Sequence, residues 1–105
     1  MTAEERILHY LGLATVSRNA VTGVDKTLAA LKRHRVKLAV FAADGERTSE
    51  KARRSCEEAG VPVLTGEFGK EALGKAVGGG NVSVVGIKDK GLADAILKVT
   101  EEKIC

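Results

Sequence analysis

Two short runs of this 105-residue chain are too apolar to leave either side in water. Val36 to Ala42 reads Val-Lys-Leu-Ala-Val-Phe-Ala, and Val82 to Ile87 reads Val-Ser-Val-Val-Gly-Ile. Near-continuous apolar runs of this length mark strands covered on both faces, whereas a half-exposed strand alternates apolar with polar. Other elements must therefore lie above and below these strands.

The flanking segments have helical spacing. Thr2-Ala3-Glu4-Glu5 places a hydroxyl and a carboxylate three residues apart, the pattern of a capping box. Ile7, Leu8, Leu11 and Ala14 follow on one face, which predicts a helix to Ala14 or Thr15. Val16 to Thr22 is a connector with a short strand at Ala20-Val21-Thr22. Gly23 opens a second helix that turns Leu28 and Leu31 to the core and ends at the basic run Lys32-Arg33-His34-Arg35. Past the first apolar strand, Asp44-Gly45 is a break. Thr48 to Ala59 is a charged helix, closed by Gly60 at the left-handed C-terminal position. Val61-Pro62-Val63-Leu64 is a short strand whose proline suits a strand start or a sheet edge. Lys70 to Val77 is a short helix, Gly78-Gly79-Gly80-Asn81 a flexible loop, and Asp89 the cap of a last helix with Leu92, Ile96, Leu97 and Ile104 as its apolar positions. Strands alternating with helices predict an α/β fold, a three-layer α/β/α sandwich over a mixed, roughly four-stranded sheet. Residues 1–105 read as one domain, without repeat or linker.

Composition narrows the function. Aromatic residues make up 3% of the chain and Trp is absent, so the core is aliphatic. A net charge of +3 admits a polyanionic partner without demanding one. No stretch approaches the roughly 18 unbroken apolar residues of a membrane helix, and Met1-Thr2-Ala3-Glu4-Glu5 lacks a signal-peptide pattern. A cytoplasmic protein is expected. Cys56 and Cys105 have neither metal-ligand nor redox-motif spacing, and His9 and His34 have no ligand pattern beside them; two free thiols and no cofactor or metal follow. Cys56 is expected to be half-buried and Cys105 exposed. Asp44, Glu46, Glu57 and Glu58 form no acid/base pair. An enzyme is not indicated.

The succession Leu11-Gly12-Leu13-Ala14, Val21-Thr22-Gly23, Lys37-Leu38-Ala39-Val40, Gly60-Val61-Pro62-Val63, Leu73-Gly74-Lys75-Ala76-Val77-Gly78 and Asp89-Lys90-Gly91-Leu92-Ala93 resembles, in order and separation, a known superfamily. It is the one that includes the archaeal kink-turn-binding ribosomal protein and the Gadd45-like proteins; the likeness is strongest to its bacterial YlxQ-type branch and covers essentially the whole chain. The resemblance implies an RNA surface formed by the start of the second helix and the loop before the last strand. It implies a kink-turn as the RNA: a sharply bent duplex with sheared G·A pairs beside a bulge. The family's guanine-reading Gly-x-Asn-Glu run falls on Gly23-Val24-Asp25-Lys26. Gly23 matches outright, and an Asp at the position of Asp25 is usual in the YlxQ branch. Arg33 matches the archaeal-type arginine and Arg18 fits the branch. Ala29 replaces a lysine that usually holds a phosphate, and Val16 and Asn19 stand where basic residues are usual. Gly79-Gly80-Asn81-Val82 falls where the family lays a loop against an extruded nucleotide.

The residues themselves allow this role. Asp25, Ala29 and Arg33 recur every four positions, forming a stripe with Lys26 beside it. A helix start offers free amides and a positive dipole end to a phosphate. Asp25 can accept from guanine or cytosine amino groups, and Lys26 can donate to guanine's acceptor edge. A-form RNA hides its major groove, so such reading requires a distorted or unpaired site. The same residues also have ordinary explanations: Asp25 suits the dipole at a helix start and Arg33 and Arg35 suit it at an end, while Lys32 to Lys37 is equally a solvated face. The glycine triplet follows a helix and precedes a strand, the reverse of a nucleotide-binding loop, and reads as a turn. The expectation is a monomeric RNA-binding module whose partner is structured RNA, with the ribosome as a further partner. The alternative, favoured by Val16, Asn19 and Ala29, is a protein-interaction module on the same fold.

Overall fold

The computed structural model describes residues 1–45 and 47–104. The expectations for Glu46, Cys105 and the side chain of Ile104 concern positions outside what is described. The elements follow in the order α1 (Ala3–Val16), β1 (Ala20–Thr22), α2 (Val24–Lys32), β2 (Leu38–Phe41), α3 (Arg47–Glu58), β3 (Val63–Thr65), α4 (Lys70–Val77), β4 (Val84–Ile87) and α5 (Lys90–Ile104).

The four strands form one sheet in the order β1-β4-β2-β3. β4 runs antiparallel to both of its neighbours, and β2 pairs with β3 in parallel. Every residue of β2 and β4 is buried, because each strand feeds two cores. Leu38, Val40, Val85 and Ile87 face the larger one, which α1, α4 and α5 complete through Ile7, Leu11, Leu73, Val77, Ile96 and Val99. Ala39, Phe41 and Val84 face a smaller one with Ala30 and Leu31 of α2 and Ala52 and Cys56 of α3. This is the expected α/β/α sandwich. The observed ladders are shorter than the apolar runs: Val36 and Ala42 are buried but lie beyond the ends of β2.

The helix starts differ in how their amides are satisfied. In α1 the capping box forms as expected, with the Glu5 amide donating to Thr2 Oγ1 at 3.1 Å and the Thr2 amide to Glu5 Oε1 at 3.2 Å. The bond from the Thr2 amide, helped by the Thr2 hydroxyl, holds the exposed Glu5 carboxyl below its usual range. In α5 the Leu92 amide donates to Asp89 Oδ2 at 2.8 Å. In α4 the cap arrives from a distance: the Lys70 amide donates to Asp44 Oδ1 at 2.7 Å. A carboxylate that sequence offers only as a spare acid is thus a helix cap. At α2, among the described residues, no side chain caps the start.

Candidate nucleic-acid interface

The start of α2 is shaped by Gly23, which sits at φ 90° and ψ 163°. That region is essentially closed to residues with a Cβ. Backbone geometry alone therefore requires glycine here, independently of any partner approaching it. A Cβ on Gly23 would meet no atom within 4 Å, so the position opens outward. Without a side-chain cap, the first-turn amides of α2 have no partner in the helix itself.

The loop before β4 is carried to this point by the sheet. β1 and β4 pair with Thr22 opposite Val85, and the Gly23 amide donates to the Val84 carbonyl at 2.9 Å. Gly79, Gly80 and Asn81 are exposed, while Val82 is half-buried against the larger core. The loop is also fastened to α4. Gly78 closes that helix in the left-handed conformation, the Gly79 amide donates to the Gly74 carbonyl at 2.8 Å and the Val82 amide to the Lys70 carbonyl at 3.1 Å. The Gly80 carbonyl lies where a Cβ of Gly74 would be; any side chain there would push the loop away. Gly74 thus sets the loop's position, which sequence reading missed.

The stripe expected through Asp25, Ala29 and Arg33 divides. Lys26, Ala29 and Arg33 line a shallow groove of about 290 Å³ together with Val21, Ala30, Arg35 and Lys88. Asp25 lines a separate hollow with Val24, Leu28 and Lys51 of α3. Lys26, Arg33 and Arg35 are exposed and Lys88 half-buried. Opposite them, Thr27 is fully buried with its hydroxyl unpartnered, Leu31 is buried and Leu28 partly so. Lys88 carried no local signal; its amide donates to the Asn19 carbonyl at 2.7 Å, and that pairing brings it to the groove.

Arg18 does not line the groove. It is exposed at the end of α1 with φ 63°, the left-handed position that closes a helix, and the next amide, Asn19, donates to the Ala14 carbonyl at 2.7 Å. His34 does the same for α2 with φ 57°, with Arg35 donating to the Ala30 carbonyl at 3.1 Å. Cys56 is wholly buried rather than half-buried. Burial, aided by Glu57 and opposed by Arg53, pushes its thiol up, away from nucleophilic use.

A sequence profile described as the ribosomal protein L7Ae/L30e/S12e/Gadd45 family matches residues 5–97. The chain belongs to this family. Among solved structures, a protein of unknown function from Bacillus halodurans C superposes on it with a TM-score of 0.82 at 27% identity, over 90% of this chain and 96% of the other. A 15.5kD RNA binding protein of Giardia lamblia superposes with a TM-score of 0.77 at 20% identity, over 95% of this chain and 86% of the other; at that identity the likeness is one of fold. No curated protein matches the sequence. Among the described residues of this L7Ae/L30e/S12e/Gadd45 member, no helix is long and apolar enough to cross a membrane, and no group of three or more His, Cys, Asp or Glu is placed to hold a metal.

Proposed function

We propose that the chain is a non-catalytic, cytoplasmic RNA-binding protein of the YlxQ-type branch that recognises a kink-turn or a related bent element, in a ribosome- or translation-associated role and as a monomer. The observation that carries this reading is the contrast among helix starts. α1, α4 and α5 begin on a side-chain oxygen, whereas α2 begins uncapped at Gly23, with the glycine loop of residues 79–82 alongside. Uncapped amides at the positive end of a helix suit phosphate oxygens, and the loop beside them suits a nucleotide displaced from a stack. Family membership supports the same partner. Asp25 and Lys26, both exposed beside the uncapped start, are the side chains assigned to base edges. Arg33 is assigned to a phosphate, and Arg18 to the flank of the same face.

The protein-interaction reading draws on Val16, 84% exposed, and Leu13, 46% exposed, on the last turns of α1. Titration with a kink-turn RNA and an unkinked control separates the two. Amide shifts centred on Arg18, residues 23–26, Arg33 and residues 79–82, larger for the kinked RNA, are expected. Shifts confined to α3, or none, would sink the assignment and favour the protein partner.

A further inference from the structure

The groove at the far side of α2 gathers four cations from three parts of the chain. Lys26 comes from the first turn of α2 and Arg33 from its end. Arg35 is turned back by His34, whose amide donates to the Leu31 carbonyl at 3.0 Å while that of Arg35 reaches Ala30. Lys88 follows β4 across the β1 pairing. Among the described residues no acidic side chain lines the groove, and none of the four is ion-paired. On α3, by contrast, Arg53 lies 3.6 Å from Glu50 and 4.4 Å from the Phe41 ring centroid. Four like charges around one hollow repel each other, and an anion in the hollow relieves the repulsion.

The shape indicates which anion. The groove is open, and its floor is Val21, Ala29 and Ala30. Among the described residues no aromatic ring lines it for a base to stack on. With cations spread along its walls it suits a chain of phosphates. The seven residue steps from Lys26 to Arg33 span about 10 Å, long enough to follow more than one phosphate of a strand. We infer that Arg35 and Lys88, with Arg33, hold the phosphodiester backbone of a helical stem flanking the recognised RNA element, extending the binding face from Gly23 past the end of α2. This rests on the RNA-binding reading, with stem phosphates as its added content. Phosphate contacts fix register without carrying sequence information.

The test is the salt dependence of affinity for a kink-turn RNA with a long flanking stem, and for the same kink with that stem removed. Arg35→Gln combined with Lys88→Gln should lower the slope of log affinity against log salt by about 1.4 to 1.8 units on the long-stem RNA, and leave it unchanged on the trimmed one. Lys88→Arg should retain the slope, and Lys98→Gln, an exposed cation on α5, should not alter it. Thermal melts of each variant check the fold. An unchanged slope in the double variant, while Gly23→Ala still weakens binding, overturns the stem contact and leaves RNA recognition standing. Equal losses on long and trimmed RNA place both side chains on the kink itself and also overturn it. Absence of wild-type binding to either RNA removes both proposals, as would capture of an acidic peptide in the groove in place of RNA.

Discussion

At its end α2 turns on His34, a bulky residue held at φ 57°; at its start it turns on Gly23 at φ 90° and ψ 163°. The end is closed from within. Amides of Arg33, His34 and Arg35 all return to the Ala30 and Leu31 carbonyls, and those bonds offset the cost of a non-glycine residue in the left-handed region. The start has no comparable closure, since its backbone conformation excludes side chains and no cap among the described residues reaches its amides. The difference separates two uses of backbone strain. One reverses the chain and carries Arg35 to the groove, while the other keeps a helix start bare.

The comparison is most easily broken at Gly23. Gly23→Ala meets no neighbour, so its cost is conformational alone, about 1–3 kcal/mol, read from the urea midpoint. RNA affinity should fall as well, since the new methyl projects into open space at the uncapped start. An unchanged midpoint would mean that the start is as tolerant as the end. Thr27, one turn into the helix, is buried with an unpartnered hydroxyl. Thr27→Val should raise stability by about 1 kcal/mol; a loss would show that the hydroxyl is bonded in solution. At the other end, His34→Gly relieves the left-handed strain but adds backbone freedom to the unfolded chain, for a net gain of about 0.5–1 kcal/mol. A destabilised variant would show that His34 is held by contacts of its own.

The smallest effect on stability, and the sharpest on binding, belongs to Ala29→Lys. Alanine and lysine are both good helix formers, so the melting temperature should barely move. An added phosphate contact should steepen the salt slope by about 0.7–0.9 units. A greater gain on kinked than on straight RNA would tie the new charge to a phosphate presented by the bend. No change in affinity or slope would remove this face of α2 from the interface.

What the sequence made legible was local or periodic. The Thr2-Glu5 box, the glycine closure at Gly60 and the doubly covered strands each announce themselves within a few residues, and the sandwich follows from their alternation. The candidate site was legible where it lies on one helix. Lys88 was not, because only the β1–β4 pairing moves it beside Arg33. Asp44 read as a spare carboxylate because the amide it caps lies 26 residues away. Gly74 was invisible for the same reason: its neighbour is the Gly80 carbonyl across a loop, a contact no periodicity encodes. The division between Asp25 and Lys26 arises from the packing of α3 beside α2, which places Lys51 next to the first and leaves the second facing the sheet edge.

β1 has one neighbour in the sheet, β4, and the two meet across most of the chain. Loop closure on that scale is slow and comes only when the intervening elements have collapsed. The helix start and the glycine loop are therefore strangers until the last strand docks, and a nascent chain displaying only its first half carries one part of the proposed interface without the other. Any ligand joining the two would act as a clasp on the finished fold. Binding the native state alone, it would slow the parting of the edge strand and raise the apparent melting temperature with its concentration.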